Sequence, residues 1–159
     1  MRATYRVLAY TIATLVVVQA AVIAAGMFGI MDYLDGGGTL NSSALDSGRS
    51  VPVWGFVAHG IIGTIVIPLV AIALVVVSFL ARLAGGVRWA LILFGVVALQ
   101  IALAFLSGAL SGLGVLHGAN ALVLFGLAVS AAMRVRRDDS VVAARPVPAD
   151  TVSGAAPGA

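Results

Sequence analysis

The chain has 159 residues, of which 62% are hydrophobic and 9% charged, with a mean hydropathy of +1.15. Soluble domains carry about a quarter charged residues, so a water-soluble globular fold is excluded. All cations are Arg and all anions Asp, with no Lys, Glu or Cys; this excludes disulfide chemistry, thiolate metal sites, iron–sulfur clusters and covalently attached heme, and disfavours small exporters that need a membrane Glu. A net charge of +3 and a pI near 10.2 do not imply a nucleic-acid partner, because the Arg residues sit at the ends of apolar runs, where membrane topology explains them.

Apolar stretches long enough to cross about 30 Å of hydrocarbon predict an all-α, integral membrane, up-and-down four-helix bundle. The spans are expected at Val7 to Met31, Val53 to Ala81, Trp89 to about Ser107, and about Gly112 to Met133. The first is too long for a signal-peptide core of about 7–15 residues, so it reads as a retained helix. A Gly-, Ser- and Asp-rich loop from Asp32 to Pro52 follows it, whereas a short small-residue turn makes the last two spans a tight hairpin. From Asp138 onward the chain is rich in Ala, Pro, Val and Asp and is expected to be a disordered tail.

Arg2, Arg6, Arg82, Arg88, Arg134, Arg136 and Arg137 all fall at one end of such a bundle, while Asp32, Asp35 and Asp46 fall in the long loop at the other. The positive-inside rule makes the Arg-rich side cytoplasmic, with both termini inside.

The few polar residues inside the spans carry the functional information, because burying them in hydrocarbon is costly. Both histidines of the chain are among them. His59 lies about seven residues below the outer end of the second span and His117 about five below that of the fourth, so at about 1.5 Å per residue both are roughly 8–10 Å deep. The second and fourth helices are diagonal partners in an up-and-down bundle, and imidazoles at equal depth on diagonal helices match the demand of a bis-histidine heme. Gly55, Gly60 and Gly63 around His59, and Gly114 and Gly118 around His117, would leave room for a porphyrin face. The same glycines also suit close helix packing, and a membrane histidine also serves as interhelical glue or a proton carrier.

Gln19 and Gln100 form a second pair at mid-membrane on the other diagonal, so Gln-then-His recurs in the two halves like a duplicated two-helix unit. Their amides are expected to bond one another, touch a cofactor edge, or pin the bundle register. Pro68 is expected to kink the second span, with Thr64 compensating the lost backbone bond. Asn120 is placed to orient His117 or to bond across helices. Arg49, near the outer surface, is a candidate partner for a heme propionate, and Trp54 and Trp89 read as interfacial anchors.

Leu99-Gln100, Gly108, and His117 followed by Ala121 resemble the Leu-Gln…Gly…His-x-x-x-Ala signature of the heme A synthase family, which is built from two four-helix units, each with a histidine pair. The resemblance covers one unit, roughly Val7 to Met133, and implies a heme b-binding bundle. It does not extend to the synthase reaction, since that family has an acidic residue three before its second-helix His and an Arg just after, where this chain has Phe56 and Gly60. The chain also resembles small four-span bacterial membrane proteins, which implies a bacterial plasma-membrane location. The sequence-level expectation is a non-enzymatic bis-histidine heme b protein, with His59 and His117 binding iron, serving electron transfer or carrying heme for a redox or other membrane partner, in which two copies pair as a homodimer to imitate the duplicated family. The alternatives are a cofactor-free structural or assembly subunit and a proton-coupled transporter; the lack of carboxylates inside the spans speaks against the second.

Overall fold

The structure is a computed structural model that describes residues 1–42 and 53–143, without the side chains of 136–139 and 141–143. It is an all-α four-helix bundle. Helix α1 runs over Arg2–Asp35, α2 over Trp54–Ala81, α3 over Gly86–Ser107 and α4 over Leu113–Ala143. All four are long and apolar enough to cross a membrane. Only 17 to 22% of each span's most apolar stretch is buried within the protein, so most of the apolar surface faces outward, as lipid as the solvent requires. The chain is a multi-pass membrane protein.

The helices pack as a ring in which α1 and α3 each touch both α2 and α4, which puts α2 and α4 on one diagonal and α1 and α3 on the other. Two helices run past the ends expected from hydropathy. Helix α1 continues through Asp35 because nothing breaks it before Gly36-Gly37-Gly38, where Gly37 takes a φ of +85°. Helix α4 continues past Met133 to Ala143, so the segment from Asp138, expected to be disordered, begins as helix. Polarity ends a membrane crossing but not a helix; Arg and Asp are compatible with continued helix, and the first proline is Pro146. The rest of that tail, residues 144–159, lies outside the described residues.

Helix α2 is not uniform. It is α-helical over Trp54–Ile61, opens into a π turn over Ile62–Val66, and is α-helical again over Ile67–Ala81. Pro68 lies at the start of the lower segment. Lacking an N–H, it cannot donate one turn back, and the widened turn is how the backbone absorbs that loss. The Thr64 hydroxyl, expected to make up for the bond lost at Pro68, donates instead to the Gly60 carbonyl one turn above it at 2.7 Å.

Burial is concentrated in one half of the bundle. Ile12, Leu74, Leu93, Leu124 and Ala128 form a dry core with the small residues around them, all toward the Arg-rich end. Tyr5 is fully buried there and its hydroxyl donates to the Gly86 carbonyl at 3.2 Å, tying the start of α1 to the start of α3. The Arg134 guanidinium stacks over the Trp89 ring at 4.2 Å from its centroid, which joins α3 to α4 at this end of the bundle. Among the described residues of the opposite half, only Gly26, Gly55 and Asn120 are buried.

Gly26 and Gly55 bring α1 and α2 into backbone contact. A methyl group on Gly55 would lie 2.6 Å from the Gly26 nitrogen and 2.8 Å from its Cα, and one on Gly26 would press on the Phe56 ring at 2.9 Å. The opposing atoms at Gly55 are backbone and cannot turn aside. Gly55→Ala is therefore expected to destabilise the bundle by about 1–3 kcal/mol, the usual range for overpacking, whereas Gly60→Ala, whose added methyl meets nothing within 4 Å, should be close to neutral; unfolding of both in detergent, followed by circular dichroism, checks the difference.

Candidate functional site

Above the dry core the helices diverge around a cavity of about 340 Å³, within the range of small-molecule sites. Ile67, Val97 and Leu124 line it and are themselves buried, so the top of the core is the cavity floor. Its walls include Val16, Gln19 and Ile23 from α1, His59, Gly60 and Gly63 from α2, Gln100 and Ile101 from α3, and His117, Gly118 and Ala121 from α4. Small residues at the wall positions keep the space open, and the few polar groups converge on one level.

The two imidazoles meet across this cavity as the equal-depth reading expects. Their ring centroids are 6.2 Å apart and their planes are inclined at 61°. Each ring is fixed by the preceding helix. His59 Nδ1–H donates to the backbone carbonyl of Gln19 at 3.2 Å, and His117 Nδ1–H donates to that of Gln100 at 3.1 Å. A carbonyl can only accept, so Nδ1 carries the proton in both rings and Nε2 is left as the lone-pair nitrogen.

The glutamines return the bond. Gln19 Nε2–H donates to the His59 carbonyl at 3.0 Å, and Gln100 Nε2–H donates to the His117 carbonyl, also at 3.0 Å. Each hairpin is thus clasped by a reciprocal pair in which a Gln side chain holds the His backbone and the His side chain holds the Gln backbone. The same clasp occurs twice, which gives the duplicated Gln-then-His pattern a structural meaning. The glutamines do not bond one another; each is spent within its own hairpin. Gln100 Nε2 is also 3.2 Å from His117 Nε2. Asn120 bonds across helices, its Nδ2 donating to Gln100 Oε1 at 2.6 Å and to the Val96 carbonyl at 3.2 Å. Gln19 Oε1 is buried with no partner among the described residues.

The glycines separate into different roles. Gly60, Gly63 and Gly118 line the cavity; Gly55 and Gly114 are not among its lining residues. Gly55 is occupied with the α1 contact, against the Val22 carbonyl and Gly26, so it closes the helix pair and does not make room for a ring. A methyl at Gly63 would lie 2.5 Å from Gln19 Nε2; its absence lets the amide reach the His59 carbonyl. Open space surrounds Gly60, Gly114 and Gly118. Arg49 lies outside the described residues. Sequence reasoning missed the backbone carbonyls of Gln19 and Gln100 as imidazole acceptors, since no side-chain pattern announces a carbonyl; the matched Gln-then-His order was the available signal.

Among the described residues no group of three or more His, Cys, Asp or Glu gathers that could hold a metal ion. The site offers two imidazoles in an apolar slot. Comparison with family models, curated proteins and solved structures returns no match, so the residues themselves carry the functional argument.

The two clasps differ in strength. Gln100→Leu removes both donor bonds and leaves one N–H of the buried Asn120 amide without its acceptor, the other keeping the Val96 carbonyl, and should cost about 1–3 kcal/mol, the penalty of an orphaned buried group. Gln19→Leu removes one donor bond and an already orphaned acceptor, and should cost about 0.6 kcal/mol, the average for a hydrogen bond between membrane helices. Equilibrium unfolding of the two variants in the same detergent measures the ordering.

Proposed function

We propose that the protein is a membrane-embedded heme b protein in which His59 and His117 are the two axial ligands, related in design to one four-helix half of the heme A synthase family and working in electron transfer or as a heme accessory for a membrane redox partner. One observation carries this reading: two imidazoles from diagonal helices lie with centroids 6.2 Å apart in an apolar cavity. A transition metal binds imidazole nitrogen at about 2 Å, with the ring centre about 1 Å behind it, so one iron between two rings separates their centres by about 6 Å.

The surrounding residues suit the group. Metal-ligating histidines almost always donate their other N–H to a carbonyl or carboxylate, and the Gln19 and Gln100 carbonyls serve that purpose for both rings. Two protein nitrogens alone are a poor metal site, whereas a porphyrin brings four of its own. Gly60 and Gly118, with open space where a side chain would stand, leave room for a flat apolar disc. Heme iron held between two imidazoles supplies reversible one-electron chemistry. The chain's part is to offer an Nε2 lone pair from each of two facing rings, to exclude water from below with Ile67, Val97 and Leu124, and to raise ligand basicity through the Nδ1 bonds. Gln100 Nε2, now beside His117 Nε2, keeps its bond to the His117 carbonyl when that lone pair turns to iron.

The proposed orientation puts Arg2, Arg6, Arg82, Arg88 and Arg134 at the cytoplasmic face of a bacterial plasma membrane, with both termini inside and the site near the outer face. A second reading, a cofactor-free structural subunit, is favoured by the same reciprocal Gln–His bonds, which join the helices whether or not iron is present.

Visible spectra of detergent-purified protein from heme-supplied cells separate the two. The heme reading predicts split α and β bands on dithionite reduction that disappear in the double variant His59→Ala with His117→Ala. A colourless wild type that unfolds at lower temperature when the histidines are replaced contradicts it and supports the structural role.

A further inference from the structure

The duplicated clasp is broken at one place. Three residues after His117 stands Asn120, which donates to Gln100 Oε1 at 2.6 Å and to the Val96 carbonyl at 3.2 Å. Three residues after His59 stands Ile62, which has no donor to give, and Gln19 Oε1 is left buried and unpartnered. One further difference points the same way. The backbone just after His59 is a π turn, Ile62–Val66, whereas the residues after His117 continue in one α-helix.

We propose that the two imidazoles are unequal ligands: His117 is permanent, and His59 exchanges with a small uncharged diatomic molecule such as carbon monoxide or dioxygen, which binds iron in its place. The inference rests on the heme reading above. Withdrawing an imidazole from iron requires the ring and its helix to shift. On α4 that shift disrupts a connected network of Asn120, Gln100 and His117 in an apolar medium, where unpaired polar groups are costly. On α2 it disrupts one reciprocal pair beside a turn that already departs from the regular ladder and that Pro68 keeps from closing.

The Gln19 amide gains a role from the same asymmetry. Its nitrogen carries two N–H groups, of which one is given to the His59 carbonyl; with the His59 ring withdrawn, the other would be the donor offered to a diatomic in its place, a hydrogen bond of the kind that stabilises polarised ligands on iron. The walls near Gln19 are Ala20 and Ile23, apolar surfaces that suit an uncharged guest and reject a hydrated anion.

The test uses heme-loaded protein, reduced with dithionite and mixed with carbon monoxide. His59→Ala is expected to retain heme and to bind carbon monoxide faster than wild type, since no internal ligand must leave; His117→Ala is expected to lose most of its heme. Ile62→Asn supplies the missing donor to Gln19 Oε1 and should slow carbon monoxide association about 3- to 10-fold, the worth of one net hydrogen bond. Asn120→Ile, which opens the other clasp, should lower heme retention and leave both sides exchangeable. Equal heme loss in the two alanine variants, or an unchanged rate in a folded Ile62→Asn protein, overturns the inequality while leaving heme binding intact; a colourless wild type overturns the heme reading instead. In heme-free protein with 15N-labelled glutamine, the Gln100 side-chain amide, held through both its nitrogen and its oxygen, is expected to exchange with solvent more slowly than that of Gln19, and equal rates contradict the proposal independently of cofactor.

Discussion

A lipid-facing bundle has little hydrophobic force to hold its helices together, since the acyl chains are as apolar as the leucines they touch. Under that constraint a polar group inside the spans must find a partner on a neighbouring helix, and wherever it does so it fixes the register of the pair. Here the partner is supplied reciprocally. Gln19 and Gln100 give their amides to the histidine backbones and receive the histidine rings on their own backbones. Neither partner can slide by a turn without stranding the other's N–H. The same bonds that lock each hairpin also choose the tautomer of each ring, so helix register and imidazole chemistry are set by one interaction.

That interaction sits at the boundary between two unlike halves. Toward the Arg-rich end, small residues such as Ala71, Ala90, Ala128 and Ala131 let the helices close around Leu74 and Leu93. Toward the other end the contacts thin until Gly26 and Gly55 again bring α1 and α2 together. Between these closures the bundle is propped open at the level of the histidines. The packed half forms the floor of the cavity through Ile67, Val97 and Leu124, and under the proposed function it is the surface against which an apolar group would rest. A polar level in a fully closed bundle would do no more than join helices; the space beside it makes a binding role the stronger reading.

Much of this could be read from the sequence because membrane spans obey simple arithmetic. Length and hydropathy fix the crossings, alternation fixes which helices are diagonal, and counting residues from the ends puts His59 and His117 at one level. What escaped that arithmetic depends on backbone atoms and on local departures from ideal helix. The acceptor for each imidazole is a carbonyl, Gly55 serves an interhelical contact that its spacing from His59 disguises, and the π turn follows from Pro68 without a motif that gives its bounds. The extension of α4 to Ala143 was hidden for a different reason, since hydropathy reports where lipid ends and not where hydrogen bonding does. Asn120 and Ile62 show the limit most clearly: their matching positions three residues after each histidine can be counted in the sequence, but only the structure shows that one glutamine oxygen gains a donor there and the other does not.

The central claim is that one iron stands between His59 and His117. Crystals of protein purified from heme-supplied cells, measured on both sides of the iron absorption edge, test it most directly. The account predicts a single anomalous peak midway between the two rings, about 2 Å from each Nε2, with both Nδ1 atoms still bonded to the glutamine carbonyls. No peak at that position in crystals that contain iron, or a slot filled by side chains with the rings still clasped, would contradict it.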